Sequence, residues 1–576
     1  MNLTKRLFSF LLIAAIVFCS CESKNELPVA DMVIKGGPIY TMDETQPKVE
    51  AVAIKGDKII FAGTIIESEV YLGESTKVLD LEGKAMTPGL IEGHGHIMGL
   101  GYGELELNML EIKSYDEMID MVKEAVDKAE PGEWITGRGW HQSKWTTMPE
   151  RLVKGFQTHE RLSEVSPDNP VFLKHASGHA AFANEKAMEI AGVQSLSKES
   201  LGPKDVEGGE VIRDELGNPT GLFNERSQTL IAKHIPETTA EKDRKALELA
   251  IKACHVNGIT SFHEAGAPRS SINLFKAFKE TGDLGVRLYV MLSGWDREQL
   301  EEWYIKGPEV DTTEHLLTIR SVKLNCDGAL GSRGAWLLKE YSDRPGHMGL
   351  ETLPMEFVLE TSQKALKNGF QVCSHAIGDR ANREILDRYE QAFEENPEAA
   401  VDHRFRIEHA QHLHPDDIGR FAELDVIPAM QAIHMASDRP WAITRLGKLR
   451  IKQGAYVWQK LLQSGAKIVN GSDVPVEPIN PIASFYVSVS RKTLQGTPAE
   501  GYEPDQRMTR EQALRSYTLD AAYGAFEENI KGSIETGKLA DFTVLSKDIM
   551  TIPENEILDT DVSMTIVGGQ IMYEAK

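Results

Sequence analysis

The chain has 576 residues, 41% apolar and 26% charged, which is ordinary globular composition and excludes wholesale disorder, a collagen-like repeat or a coiled coil. Its 63 basic and 87 acidic side chains leave a net charge of −24, which argues against a nucleic-acid footprint. Five cysteines over this length do not make a disulfide framework.

Lys5 and Arg6 precede an apolar run from Leu7 to Cys19. As a helix that run rises only about 20 Å, short of the roughly 30 Å hydrocarbon layer, so it has the shape of a secretory signal and not of a membrane span. Cys21 follows Ser20 and opens the polar stretch CESKNEL. This order resembles a bacterial lipoprotein signal, although Phe18 and Cys19 depart from the usual box. The resemblance implies that residues 1–20 are removed, that Cys21 is lipidated and that 21–30 is a linker. It implies a lipid-anchored place in the cell envelope, periplasmic or outer-membrane. The alternative is a buried N-terminal helix. Cys254, Cys326 and Cys373 remain as scattered thiols.

Residues 31–85 read as short strands (31–42, 51–63 and 77–81) joined by Gly-containing turns. The same texture returns in 526–576, at 541–546 and 562–574. One small β-sandwich built from both chain ends is the expectation; two unrelated edge hairpins are the alternative. Between them, 86–525 alternates apolar β-branched runs with helical periodicity. Eight strands are expected, at 86–94, 258–266, 286–292, 320–328, 370–378, 404–410, 425–431 and 467–473. Helices are expected at 355–369 and 381–396. Eight strand–helix alternations predict an α/β fold of the closed (β/α)8 TIM-barrel type. The long interval between the first two strands predicts an inserted α/β segment at about 100–240.

Ligand-type residues fall at the expected C-terminal ends of these strands, where such a barrel carries its active site. His94 and His96 are two apart, so on a strand both side chains face one side and can share a cation. Lys323, His375, His409 and Asp473 end four other strands. Cys326 is three residues from Lys323 and faces the opposite side of a regular strand, as a packed thiol. Cys373, two before His375, has the right face but soft chemistry. Glu264 suits either a carboxylate that orients a ligand histidine or a barrel salt bridge.

The stretches TPGLIEGHGH (87–96), GRGWHQSKW (137–145), SGHAAFAN (177–184) and VKLNCDGALGSRGA (322–335) resemble the amidohydrolase superfamily. The likeness is to its family 3, the YtcJ-like and N-substituted formamide deformylase-like proteins. SHAIGDRAN (374–382), RIEHAQ (406–411), GSDVPVEPINP (471–481) and the tail from 516 to 545 continue it in order. Glu92 stands where an aspartate is more common. The resemblance implies a metal-dependent hydrolase with His94, His96, Lys323, His375, His409 and Asp473 around one or two divalent ions, zinc first. It implies carboxylation of Lys323 by CO₂, because a free ammonium has no lone pair for a metal. An uncarboxylated lysine paired with Asp327 or Glu264 is the alternative. It further implies that Asp473 is the catalytic base and that His179, Asp327 and Arg333 contact a small amide-type substrate; a loop ion pair for Asp327 and Arg333 and a polar loop histidine at His179 are the alternatives. Asp379 is expected to cap the helix at 381–396, and Trp140 and Trp145 to pack a lid, with His141 tuning specificity. The bond implied is a non-peptide C–N bond. An esterase or lactonase on the same site, or a non-catalytic lipid-anchored metal- or ligand-binding protein, are the rival readings. A homo-oligomer is left open.

Overall fold

Eight parallel strands form where the periodicity places them. They are β1 (Leu90–Gly95), β2 (Ile259–Ala267), β3 (Arg287–Ser293), β4 (Leu317–Asn325), β5 (Gln371–Ala376), β6 (Arg406–His409), β7 (Ile427–Met430) and β8 (Val469–Asn470). This is a computed structural model, and it describes residues 28–110, 112–193, 208–236 and 238–576. The proposed signal and Cys21 lie outside the described residues. No helix among the described residues is long and apolar enough to cross a membrane.

Each barrel strand pairs in parallel with the next, from Phe262 beside Glu92 to Met430 beside Asn470. The strands are buried on both faces, which is why they read as nearly continuous apolar runs. The helices Met355–Lys367 and Asp379–Glu395 each bury one stripe, for example Ile385, Leu386, Tyr389 and Ala392. The ring closes between β1 and the turn after β8. There the Asp473 N–H donates to the His94 carbonyl at 2.8 Å and the His96 N–H to Val474 at 2.7 Å. Glu92 is the clasp: it accepts the Ser472 N–H and hydroxyl, each at 2.7 Å, and the His94 N–H at 3.1 Å. Gly471 is required here, since a β-carbon would lie 2.3 Å from Glu92 Oε1.

The two chain ends share one eight-stranded sheet. Ala85–Pro88 pairs antiparallel with Phe542–Leu545, with Met86 opposite Val544. Ile34, Ile39, Val52, Met86, Phe542 and Ile566 form its core, so the ends are one unit and not two edge hairpins. The expected first barrel strand at 86–94 is corrected accordingly. Its leading residues belong to this end sheet, and the chain crosses into the barrel at Gly89, whose N–H donates to Asp541 at 2.8 Å.

Between β1 and β2 stands a separate six-stranded sheet, in which Leu107–Asn108, Ile135–Trp140 and Val171–His175 run parallel. The helix Tyr115–Val126, capped by Ser114, lays Met118, Ile119 and Val122 on it. Trp140 is fully buried here and donates its indole N–H to the Leu173 carbonyl at 2.9 Å.

Candidate active site

The barrel mouth gathers the strand-end residues around Asp473. Alternation on β1 puts both imidazoles on one side, and His94 Nε2 and His96 Nε2 lie 3.6 and 3.2 Å from Asp473 Oδ1. Gly95 between them faces Phe262, and a β-carbon there would lie 2.5 Å from that ring. The other oxygen, Oδ2, is 4.0 Å from His409 Nδ1 and 3.9 Å from His434 Nε2. Two groups that could hold a cation therefore share one carboxylate: His94, His96 and Asp473, and His409, His434 and Asp473. His409 and Asp473 both have positive φ, 73° and 59°. Such strain in non-glycine residues gathers at functional sites.

Hydrogen bonds orient these rings. His94 Nδ1 is bonded to the buried carboxylate of Glu408, which Arg406 grips at 2.7 and 2.9 Å. A carboxylate only accepts, so Nδ1 carries the hydrogen and Nε2 the lone pair. Lys323 Nζ lies 3.2 Å from that Nε2, the partner it takes in place of Asp327 or Glu264. His409 Nδ1 bonds Gln431 Oε1 at 2.8 Å, and Gln431 Nε2 donates to the Ala429 carbonyl. Glu264 accepts the Ile97 N–H at 2.6 Å and so holds the backbone next to His96; burial raises its pKa.

Burial alone would raise the pKa of Asp473, but the surrounding imidazoles, His96 first, hold it well below the usual carboxylate range. Burial, and then Lys323, push His94 down to about 4. Both groups are in the forms a cation needs, a carboxylate and a neutral imidazole.

Other expected residues sit differently. His375 lines the cavity with its ring 4.4 Å from that of His409, but its Nε2 lies 3.2 Å from Asp327 and it belongs to neither cation group. Asp327 anchors a loop. It accepts the N–H groups of Trp336, Ile377 and Gly378 at 2.8–3.0 Å, which leaves it tied to the end of β5. Arg333 makes a loop ion pair: it donates two bonds to Asp343, at 3.2 and 3.0 Å, and does not line the cavity. Asp379 accepts the Leu338 N–H at 2.9 Å and makes no cap on its own helix, because Gly378 holds the N-cap position. Cys326 and Cys373 are buried, and Cys373 bonds Gln371 and does not line the cavity. His179 reaches over the mouth from the insertion, with Nδ1 2.9 Å from Glu225 and its ring 5.8 Å from that of His375.

Sequence reasoning missed Glu408, His434 and Glu225. His434 had a signal, since it follows the end of β7 by four residues on the active-site side. Glu408 had none by alternation, because it neighbours His409. The left-handed turn at His409 lets both consecutive side chains reach His94.

An amidohydrolase family pattern matches residues 77–573. The chain is 34% identical to Protein LONG AFTER FAR-RED 3 of Arabidopsis thaliana, over 95% of this chain and 92% of that one. It is 32% identical to the putative amidohydrolase YtcJ of Bacillus subtilis (strain 168), over 94% and 98%. To the N-substituted formamide deformylase of Arthrobacter pascens it is 26% identical, again over 94% and 98%. Among solved structures, an uncharacterized metal-dependent hydrolase from Pyrococcus horikoshii OT3 superposes with a TM-score of 0.71 at 27% identity, covering 91% of this chain and 99% of that one. With these matches along almost its whole length and a (β/α)8 barrel carrying histidines and an aspartate at its mouth, the chain belongs to the amidohydrolase family.

Proposed function

We propose that the protein hydrolyses a non-peptide C–N bond, in an amide, formamide or cyclic amide, with a divalent metal ion at the barrel mouth. The observation that carries this reading is Asp473, one oxygen facing His94 and His96 and the other facing His409 and His434. The donor set fits such an ion. Imidazole nitrogen and carboxylate oxygen suit zinc. Asp473 Oδ1 and His434 Nε2 are buried without a hydrogen-bond partner among the described residues. In this reading His94, His96, His409, His434 and Asp473 hold one or two ions, with His375 and the carboxylated Lys323 completing the set. Burial lowers the pKa of Lys323, toward the free amine that condenses with CO₂. Its carboxylation is part of the proposal.

A divalent ion bound there would make water more acidic, with a pKa of about 7, and would polarise a carbonyl. Asp473, ionised at neutral pH, takes the proton of the attacking water on a carboxylate oxygen and hands it to the leaving nitrogen. Burial would discharge His179, but Glu225 outweighs it and raises its pKa, so the ring offers an N–H to the carbonyl oxygen as charge develops. The similarity to the formamide deformylase supports the choice of C–N bond.

Three outcomes test this. Wild type should carry at least one divalent ion per chain and cleave members of a panel of amides, formamides, lactones and esters. The His94→Ala/His96→Ala double variant should lose both metal and hydrolysis; full metal retention would remove the ion from this place. Cleavage of esters and lactones alone would favour the rival reading. Lys323→Ala should lose metal together with rate, which elemental analysis beside kinetics will show. The anchor is proposed separately: mass spectrometry of the membrane fraction should find Cys21 as the lipid-bearing first residue, and an unprocessed Met1 in the soluble fraction would sink it.

A further inference from the structure

The cavity above Asp473 has a second polar end, built by the insertion, the helix after β7 and the loop after β8. His141, Lys144, His175, Asp438, Trp441 and Glu477 line it. His141 and His175 sit at the ends of neighbouring parallel strands of the insertion sheet, with ring centroids 4.4 Å apart. Each ring accepts, on Nδ1, the backbone N–H two residues further on. Ser143 donates to His141 at 3.2 Å and Ser177 to His175 at 3.1 Å. A backbone amide can only donate, so Nδ1 carries no hydrogen in either ring. Burial lowers the pKa of both, which keeps them neutral. The single ring hydrogen is therefore on Nε2 in each.

Trp441, 5.9 Å from His141 between ring centroids, adds an indole N–H. His175 Nε2 and Trp441 Nε1 are buried and have no hydrogen-bond partner among the described residues. Acceptors stand in the same wall. Lys144 donates to Glu477 at 3.1 Å, while Asp438 accepts from Gln411 at 3.1 Å.

This pattern selects among ligand groups. An alkyl tail would leave the N–H donors unmet, and buried donors without partners are unfavourable. A carboxylate would satisfy them but would be set against the half-buried carboxylate of Asp438. A neutral carbonyl next to an N–H satisfies both, its oxygen taking the ring hydrogens and its N–H going to Asp438. We infer that the substrate carries, away from the bond that is cleaved, a second neutral amide-type group (an amide or a ureide), read by His141, His175 and Trp441 as donors and by Asp438 as acceptor. The inference deepens the hydrolase reading and rests on it for the location of the cleaved bond, but its recognition step is measurable without turnover.

The test uses the zinc-loaded full chain and three formamides that differ only at the tail: N-formylglycinamide, N-formylglycine and N-isobutylformamide. Calorimetric binding and kcat/KM are measured for each. N-formylglycinamide should be favoured over both others by about tenfold or more. Trp441→Phe removes one N–H and keeps the ring, so the ratio between the glycinamide and the isobutyl compound should fall toward one, chiefly through KM. His175→Phe should act in the same direction. If the glycinamide is bound preferentially but neither it nor any member of the wider amide panel is cleaved, the recognition stands and the hydrolase reading falls. No preference for the glycinamide, tightest binding of the carboxylate, binding of none of the three, or a Trp441→Phe variant with the parent ratio would each overturn the inference.

Discussion

Asp473→Asn is expected to keep the fold and most of the bound metal while losing turnover by roughly 10²–10⁴-fold, the usual contribution of a general base. Asparagine keeps the shape and one oxygen for a cation, but it does not accept a proton at neutral pH. The backbone bonds that close the ring at this residue do not involve the side chain: the Asp473 N–H to His94 and the His96 N–H to Val474 remain. The positive φ of 59° is tolerated by asparagine at least as well as by aspartate. Metal analysis, circular dichroism and hydrolysis rates on any substrate the parent cleaves decide the matter. An active Asp473→Asn enzyme would falsify the base assignment and leave Glu264, Lys323 or His434 to be examined.

Glu408→Ala is expected to produce the largest loss of stability among the site variants. Glu408 and Arg406 are both fully buried and bonded to each other through two contacts, and Arg406 also donates to the Gly93 carbonyl at 2.7 Å. Removing the carboxylate leaves the guanidinium without its counter-charge inside the barrel, a change that costs about 3–5 kcal/mol. It also frees His94 Nδ1, so metal affinity should fall by about 10–100-fold. The pH dependence follows from the shift in Glu408. Burial opposes ionisation, but Arg406 and His94 outweigh it and hold the folded pKa below the ordinary carboxylate value. A group depressed in this way contributes its full stability above the unfolded pKa of about 4.3. That contribution fades as the pH falls toward the folded value. The gap in urea midpoint between parent and Glu408→Ala should therefore be wide at pH 7 and begin to shrink only as the pH falls below about 4. Equal midpoints and equal metal affinity at pH 7 would show that Glu408 neither supports the barrel nor orients His94.

Both residues show how far alternation along a strand carries. His94 and His96 were legible because residues two apart on extended chain face one side, and the irregular pairing of β1 with β2 near Gly95 still leaves both rings on Asp473. Lys323 and His375 were legible as strand-end residues for the same reason, although the partners they take, His94 Nε2 and Asp327, were not. Glu408 was hidden because the turn at His409 breaks the alternation that would have sent neighbouring side chains to opposite faces. Arg333 stayed open between substrate contact and a loop ion pair because a glycine-rich loop has no periodicity; the structure pairs its guanidinium with Asp343.

The sequence by itself determined the barrel, the strand texture of the two chain ends and the strand ends that bear imidazole, lysine and carboxylate. These are properties of local periodicity and of apolar faces that must be covered, and every stretch of chain carries them. What only the tertiary structure decided is which polar atoms meet. The division of Asp473 between two imidazole pairs, the carboxylate behind His94, the recruitment of His434 from the helix after β7 and the histidine wall lent by the insertion all join residues far apart in the chain. Such meetings depend on how the ring closes and where the insertion sheet comes to rest. A hydrogen bond is decided over tenths of an ångström, whereas a hydrophobic pattern specifies only a face.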